Sequence, residues 1–557
     1  MPMEKNGAST GMSRRSFVTG AAMTGALAAF GGLTGCSPST GKAAAANAPT
    51  GTASSETADA WAIADLEEPS ETVSCEVCVV GGGGTGLAAA IQAHQLGLNV
   101  IMLEKKGTTG GSFIGSEGLF AVNSHWQEEA GIDYSIDDLA EACFDYHHWI
   151  VNPALYKNFF AHTAGTVTWL EDLDVKFDHV QSLGDSPNAW HVYAGEGSEG
   201  TGVTFMKSFG AAAQNLGVPM ELECSGKKIV MEDGKVTGLL AERKNGSVLK
   251  IECPVVIVGT GGWANSAELI RELNGADPSR VTASGLDGRD GDGLKMLKDA
   301  GAALAAGAGT MATYGPILPG TTYGTELQAA TSLEPHLWVN ENAERFVRED
   351  MFLKNFAYAG NAVHNQKRAF TICTQDIIDQ YIEAGGDVGV GVYVVAGKPM
   401  TDLAESFPKL LESKNDYVFQ ADSIAALAEA AGLDPDALQA TVDAYNGYCA
   451  EGSDTEFFKP AAYLRPLENG PYYAFEVFNG YFCTVGGISV SPNTEVLDSE
   501  KNVIAGLYAG GCDAGGLYGD TYDVAYCPGS CASWAVNSGR LAAKHAAAYL
   551  GKPVEDL

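Results

Sequence analysis

A run of glycines between two apolar segments is the feature that most constrains the fold of this chain. The segment Cys75–Val80 has the composition of a short buried strand, and the Ala-rich segment Leu87–Leu96 is typical of a helix. Between them, Gly81, Gly83 and Gly86 keep the spacing GxGxxG. We expect the first glycine to make a tight turn, the second to let the backbone approach a ligand, and the third to allow close helix–strand packing.

An acidic residue completes this pattern. A second apolar segment, Asn99–Leu103, ends at Glu104, which lies at the right distance along the chain to reach a ribose hydroxyl. The free N–H groups at the start of the intervening helix would face a pyrophosphate. The sequence therefore predicts a dinucleotide-binding unit, and the alternative is a glycine-rich turn without a ligand.

Composition and charge exclude several classes of protein. The chain has 557 residues, enough for two to four domains, and 45% of them are hydrophobic, which excludes a disordered chain. The formal net charge of −35 argues against a basic face for nucleic acid or anionic lipid. The 10 histidines and 12 cysteines form no HExxH or paired CxxC motif, so no metal site is predicted.

The N-terminus has the pattern of an export signal. Ser13–Phe17 contains twin arginines, and the mildly apolar run Val18–Leu33 is too short and glycine-rich to span a membrane well. We expect residues 1–35 to be a Tat signal and residues 36–71 a flexible linker. The segment ending at Cys36 resembles a lipobox, which implies a lipid anchor at that cysteine on the extracytoplasmic face; the alternative is a plain cleavable signal.

Further motifs identify a family. After Glu104 come Gly110-Gly111-Ser112 and Ser116-Glu117-Gly118, and the buried run Val255–Val258 enters Gly259-Thr260-Gly261-Gly262. The later segments are Gly291–Lys295, Gly506–Gly511 and Ser538–Ala542. In this order, the motifs resemble FAD proteins of the fumarate reductase/succinate dehydrogenase flavoprotein type over residues 72–557.

This resemblance implies an α/β fold, with a Rossmann-type FAD-binding domain and an inserted α+β capping domain. The FAD-binding domain would comprise residues 72–312 and 485–557, and the capping domain residues 313–484. The FAD would be bound non-covalently. A helix from Ala532 to Tyr549 would point its N-terminus at the flavin. The cofactor-binding residues that it implies are Gly81, Gly83, Gly86, Glu104, Gly110, Gly111, Ser112, Gly118, Gly261, Asp292, Cys512, Gly529 and Ser530.

The chain departs from the family where fumarate reductases hold a dicarboxylate. Cys483 stands in the place of a carboxylate-binding His, and Tyr522 in the place of a carboxylate-binding Arg. The segment Gly519–Tyr522 instead resembles a segment of 3-ketosteroid Δ1-dehydrogenases, in which the tyrosine polarises a ketone. A phenol suits a neutral carbonyl because it needs no counter-charge. We therefore expect a substrate other than fumarate; a structural tyrosine is the alternative for Tyr522.

Weaker candidates surround this site. Arg348 lies within the family's RFxNE-like motif and Lys354 follows it, and either could supply the catalytic proton; a structural ion pair and a solvated lysine are the respective alternatives. Tyr314 begins a segment that lines the substrate in the family. The spacing of Cys512, Cys527 and Cys531 fits no standard iron–sulfur pattern, so such a cluster is not expected.

The sequence thus predicts an exported FAD-dependent ene-reductase, similar to bacterial reductases of urocanate or of the unsaturated lactones of cardiac glycosides. Its small-molecule substrate would be an enone, an unsaturated lactone or an aromatic acrylate-like acceptor. No second dinucleotide fingerprint and no CxxCH haem motif occur, so electrons would come from a separate membrane-associated cytochrome or quinol-linked partner in anaerobic respiration. The alternatives are a Δ1-dehydrogenase and a non-catalytic flavin- or ligand-binding lipoprotein.

Overall fold

The computed structural model describes residues 59–554, except 64, 185, 196–200, 286 and 392. The predicted signal (1–35), its Cys36 and most of the predicted linker lie outside these residues. Near the end of that linker, Trp61 is already part of the folded body, because its ring lies under the ammonium of Lys298 and its indole N–H donates to Glu272.

The strands are numbered in chain order. They are β1 (Glu71–Ser74), β2 (Val77–Val80), β3 (Val100–Glu104), β4 (Gly118–Phe120), β5 (Phe177–Gln181), β6 (Trp190–Tyr193), β7 (Met220–Leu222), β8 (Cys224–Glu232), β9 (Lys235–Arg243), β10 (Val248–Glu252), β11 (Val255–Val258), β12 (Val281–Ala283), β13 (Met311–Ile317), β14 (Leu337–Asn340), β15 (Ala369–Thr374), β16 (Val418–Ala421), β17 (Tyr472–Thr484), β18 (Ile488–Ser489), β19 (Glu495–Leu497), β20 (Val503–Ala509) and β21 (Ala514–Gly515).

The α-helices are numbered in the same way. They are α1 (Gly84–Gln95), α2 (His125–Glu129), α3 (Ile136–Tyr146), α4 (Pro153–Asp172), α5 (Gly202–Leu216), α6 (Ala267–Leu269), α7 (Asp292–Asp299), α8 (Glu326–Gln328), α9 (Met351–Lys354), α10 (Phe356–His364), α11 (Gln375–Ala384), α12 (Leu403–Glu412), α13 (Ile424–Ala431), α14 (Pro435–Glu451) and α15 (Ser530–Tyr549).

The first sheet carries the glycine loop. Its order is β1-β10-β9-β20-β11-β2-β3-β7, with β19 beside β20 and β8 beside β9. Strands β11, β2, β3 and β7 run parallel, and the late strand β20 is inserted beside β11, also parallel. Every residue of β2 and β11 is buried, as expected for parallel strands covered on both faces. The FAD-binding fold is therefore built from two segments that are distant in sequence.

The second sheet belongs to the capping region. Its order is β12-β17-β15-β14, and β13 and β16 also pair with β17, the longest strand. Apolar side chains of β14, β15 and the first half of β17 form a core with those of α11 to α14. The predicted boundary at residue 313 falls inside β13, and the sheet already includes β12 at residues 281–283, because β12 pairs in parallel with β17.

Local signals set several helix ends. Helix α14 begins after Asp434, whose side chain accepts from the Ala437 N–H, and it has Pro435 at its first position. It buries Leu438, Val442 and Tyr445 on one face, at the spacing of an amphipathic helix. Among the residues described, no helix has both the length and the apolar character needed to cross a bilayer.

Candidate active site

A cavity of about 820 Å³ runs from the glycine loop to the capping region. At one end it is lined by the Gly81–Gly84 loop, Glu104 and the Gly111–Gly118 segment. At the other end it is lined by side chains from β17, α9 and α10 and by Tyr522. The volume is in the range of ligand and cofactor sites.

The glycine loop has the backbone geometry that the spacing predicts. Gly81 has φ of +109°, and a Cβ there would lie 2.3 Å from the Gly259 carbonyl oxygen. A Cβ at Gly86 would lie 1.6 Å from the Gly81 carbonyl oxygen, so α1 can approach β2 only with glycine at this position. Gly83 lines the cavity and exposes its backbone to a ligand.

The acidic residue predicted from the sequence lies at the cavity wall. Glu104 lines the cavity, and its carboxylate accepts from the N–H of Gly82 and the N–H of Lys106, both at 2.7 Å. Asp292, at the start of α7, also lines the cavity and forms an ion pair with Lys105 at 3.1 Å. These contacts hold the two carboxylates at the cavity wall.

Two long helices begin at the cavity without a side-chain cap. The N-cap of α1 is Gly83 and that of α15 is Gly529, and neither helix has a capping side chain. Their free N–H groups and positive dipole ends favour an anionic ligand. This arrangement fits the pyrophosphate and the ring system of FAD.

The remaining predicted cofactor residues lie at or just behind the wall. Gly110 donates its N–H to the Gly82 carbonyl at 3.0 Å, and Ser530 Oγ accepts from the Tyr518 hydroxyl at 2.9 Å, so both brace the wall from behind. Those that line the cavity directly are Gly111, Ser112, Gly118, Gly261, Cys512 and Gly529.

Aromatic side chains form the part of the cavity next to the capping region. The ring of Phe482 lies 4.9 Å from that of Tyr323 and 5.9 Å from that of Phe356. The ring of Phe356 lies 5.9 Å from that of Tyr522. We call these four residues, which all line the cavity, the aromatic chamber.

Tyr522 supplies a protonated phenol to this chamber. Burial, with smaller effects of the Cys531 and Cys483 thiols, raises the pKa of Tyr522 well above its ordinary value. Its backbone carbonyl accepts from the Tyr146 hydroxyl at 3.0 Å, and that hydroxyl accepts from the Asn355 side-chain amide at 2.7 Å. The phenol is therefore a neutral donor on a backbone linked to the capping region.

The chamber has little positive charge. Arg289 lines the cavity, but its guanidinium donates to the carbonyls of Phe482 at 2.6 Å and Ser284 at 2.8 Å. Among the described residues that line the cavity next to the capping region, Lys354, at the end of α9, is the other one with a cationic side chain. Cys483 lines the wall as a neutral group. The pKa of the neighbouring Cys512 thiol is raised by its hydrogen bond with Cys483 and by its own burial.

Three residues considered in the sequence analysis do not line the cavity. Arg348 does not line the cavity, and its guanidinium donates to the Asp350 carboxylate at 2.5 and 2.6 Å. Tyr314 packs behind Tyr323 at 4.5 Å, outside the cavity wall. Cys527 Sγ lies 3.4 Å from Cys143 Sγ and does not line the cavity, unlike Cys512 and Cys531. Neither Arg348 nor Tyr314 lines the cavity, and the roles expected of them stay predictions.

Sequence reasoning missed residues that only the folded chain brings together. Glu117 lines the cavity beside the capping region, where a Cβ at Gly391 would lie 2.1 Å from its carboxylate. Burial and the Glu117 charge raise the pKa of Tyr323. The quoted Ser116-Glu117-Gly118 motif contains this acid, but no signal in the sequence places it against the capping region. Nor does any signal place Tyr323, Phe356 and Phe482 around one space.

Comparisons with known proteins agree with this geometry. Residues 76–525 match the family model described as FAD binding domain. The chain is 36% identical over 486 residues to the vinyl phenol reductase of Lactiplantibacillus plantarum, covering 86% of this chain and 97% of that protein. It is 29% identical over 489 residues to the fumarate reductase (cytochrome) of Shewanella frigidimarina, covering 87% and 78%.

A solved structure shows the same fold. The 3-ketosteroid Δ1-dehydrogenase of Sterolibacterium denitrificans, in complex with 1,4-androstadiene-3,17-dione, superposes with a TM-score of 0.67. The match covers 85% of this chain and 99% of that one, at 20% identity. The likeness supports the expected pairing of a FAD-binding domain with a capping domain.

Proposed function

Because this chain belongs to the FAD binding domain family, we propose that it reduces the activated C=C bond of a neutral conjugated acceptor. It is a FAD-dependent oxidoreductase that acts on CH–CH groups. When bound, FAD supplies the redox chemistry, since its reduced form can give a hydride to carbon. The residues that would hold it are those of the glycine loop, Glu104 and the starts of α1 and α15.

The neutral aromatic chamber is the observation that carries this proposal. A buried dicarboxylate needs charged or strong donors for both of its carboxylates. Here the Arg289 guanidinium already donates to two carbonyl groups, and Lys354 is a single cation at the wall. Aromatic rings instead offer a flat, apolar surface to a planar conjugated molecule. This favours an aromatic acceptor, an enone or an unsaturated lactone over fumarate.

Tyr522 would polarise the substrate. A hydrogen bond from its phenol to an oxygen of the conjugated system withdraws electron density from the C=C bond and stabilises the charge that develops there. The raised pKa keeps the proton on the phenol, so the group donates rather than accepts. Because Tyr522 is buried, competition from water for that hydrogen bond is small.

Lys354 would deliver the proton to the other carbon. Lys354 lines the cavity with an exposed side chain that ends in an N–H acid, and it lies next to Asn355, whose amide is linked through Tyr146 to the Tyr522 backbone. A proton donor has to lie within hydrogen-bond reach of the atom it protonates. Lys354 meets the requirement of access to the chamber, which Arg348 does not.

The relatives and the N-terminal sequence support the finer points. The similarity to a vinyl phenol reductase favours an aromatic acceptor with a conjugated vinyl group. The twin-arginine and lipobox patterns favour export to the cell envelope. An exported enzyme has little access to NADH, which favours a membrane-associated cytochrome or quinol-linked electron donor.

A steady-state acceptor panel tests the proposal. Purified holoprotein is given reduced viologen without oxygen, together with 4-vinylphenol, a cinnamate ester, an enone, an unsaturated lactone or fumarate. We expect turnover with at least one of the first four acceptors, at a kcat/KM at least about 100-fold above that with fumarate, which corresponds to about 2.7 kcal/mol. Equal or faster turnover of fumarate would overturn the assignment.

A further inference from the structure

A buried cluster of metal-ligating side chains lies directly beside the Tyr522 loop, outside the cavity. It consists of Cys143 from α3 together with Asp523 and Cys527, and we call it the thiol–carboxylate cluster. All three residues are fully buried, and one ligand atom from each lies within 4.8 Å of the others. The two sulfur atoms are 3.4 Å apart.

One carboxylate oxygen of this cluster has no partner. Asp523 Oδ2 accepts from the Tyr156 hydroxyl at 2.8 Å, but no described group hydrogen-bonds to Oδ1. A buried carboxylate normally has donors on both oxygens or a cation beside it. Apart from the two weakly donating thiols beside the carboxylate, Oδ1 is thus open to a further ligand.

A neighbouring histidine contacts only the other oxygen of this carboxylate. His147 Nδ1 accepts from the Gly519 N–H at 3.3 Å, which fixes the orientation of the ring. This Nε2 lies 3.5 Å from Asp523 Oδ2, on the side already bonded to Tyr156. His147 and Tyr156 therefore hold the carboxylate through Oδ2, while Oδ1 has no hydrogen-bond partner among the described residues.

The spacing fits a tetrahedral metal ion. Zinc binds thiolate sulfur at about 2.3 Å, which in tetrahedral geometry separates two sulfur ligands by about 3.8 Å. The observed 3.4 Å needs only a small outward movement of the two side chains. Two thiolates and a carboxylate suit zinc, whereas magnesium and calcium prefer oxygen ligands alone.

We infer that the thiol–carboxylate cluster binds one divalent zinc-type cation. The ligands are Cys143 Sγ, Cys527 Sγ and Asp523 Oδ1, and a water molecule completes the coordination. Binding releases the two thiol protons to solvent and changes no oxidation state. His147 and Tyr156 act as outer partners that fix the ligating carboxylate.

Such an ion would anchor the loop that carries Tyr522. It would tie α3 to the residue that follows Tyr522 and to Cys527, two residues before the N-cap of α15. The ligands are far apart in the sequence, Cys143 and Cys527 by 384 positions, so no spacing motif could reveal them. The prediction of no metal site from the sequence rests on such motifs alone.

Metal analysis of the holoprotein tests the site. Protein purified without oxygen is incubated with excess Zn²⁺, dialysed and measured for zinc and FAD per chain. We expect about one zinc per chain in the wild type and less than about 0.1 in Cys143→Ser and Cys527→Ser, with FAD retained. Cys373→Ser removes an equally buried thiol from the capping region and should keep the zinc.

Cobalt gives a readout that does not depend on the variants. Wild-type protein loaded with Co²⁺ should show thiolate-to-cobalt charge-transfer absorption, which Zn²⁺ abolishes by displacement. A wild type that keeps less than about 0.1 zinc and shows no such band overturns the inference, as does a Cys143–Cys527 disulfide in the mass spectrum of the anaerobic protein. Neither result would affect the acceptor panel, so the two proposals fail separately.

Discussion

Replacing Tyr522 with phenylalanine removes the phenol that would polarise the substrate and leaves the chamber wall intact. The Tyr522 ring is 5.9 Å from the rings of both Phe356 and Tyr518, and these contacts do not need the hydroxyl. In buried sites, loss of one donor to a developing oxyanion costs about 2.7–4 kcal/mol, or about 100- to 1,000-fold in rate. We expect kcat to fall by about 100-fold with a smaller change in KM, because the bond strengthens in the transition state.

The assay is the anaerobic oxidation of reduced viologen by each acceptor that the wild type uses. Tyr473→Phe is the matched control, since this buried phenol donates to Gln375 at 2.6 Å and lies in the capping region away from the cavity. Both variants should bind FAD at one per chain. A Tyr522→Phe rate within about twofold of the wild type on every acceptor would refute the role of the phenol.

The same residue gives a pH prediction. Because the pKa of Tyr522 is raised, the phenol stays protonated as pH increases through the physiological range, and it loses its proton only at strongly alkaline pH. Ionisation of Tyr522 should therefore not lower the wild-type rate below about pH 9. If the wild-type rate does decline there, Tyr522→Phe should show the same decline. A decline that Tyr522→Phe abolishes would mean that the phenol ionises readily and is not a stable donor.

Other side chains make separate predictions. Lys354→Met should slow turnover by about 10²-fold or more and raise the solvent isotope effect, and an unchanged rate would remove it as proton donor. Gly86→Ala puts a Cβ 1.6 Å from the Gly81 carbonyl and should yield protein without FAD, whereas Gly165→Ala, with no atom within 4 Å, should bind FAD normally. Arg345→Met strands the buried Glu349 and Asp454 carboxylates, so urea unfolding should show a loss of about 3–5 kcal/mol; the exposed Lys409→Met should show no measurable loss.

The FAD-binding part of the fold could be predicted because its signals are local. The glycine spacing fixes a turn whose backbone geometry leaves no room for side chains at Gly81 and Gly86. The apolar run Val255–Val258 forms β11, and the helix that the resemblance implies over Ala532–Tyr549 is α15, which begins at Ser530.

The substrate end could be predicted only in part, because it depends on contacts between distant segments. Cys483 and Tyr522 were found through departures from a family pattern, and both line the cavity. The ring of Tyr323 lies against that of Phe482, and the ring of Phe356 against that of Tyr522, only in the folded chain; no spacing in the sequence indicates these contacts. Arg348 is a candidate because of its place within a family motif, but folding gives it Asp350 as its partner.

A single-turnover reaction tests the central claim most directly. Holoprotein is reduced with a stoichiometric amount of dithionite without oxygen and mixed with one equivalent of 4-vinylphenol, of an enone or of fumarate. We predict full reoxidation by a neutral acceptor with formation of the saturated product, and at most slow reoxidation by fumarate. Reoxidation by fumarate alone, or bleaching of the oxidised protein by a saturated ketone, would contradict the account.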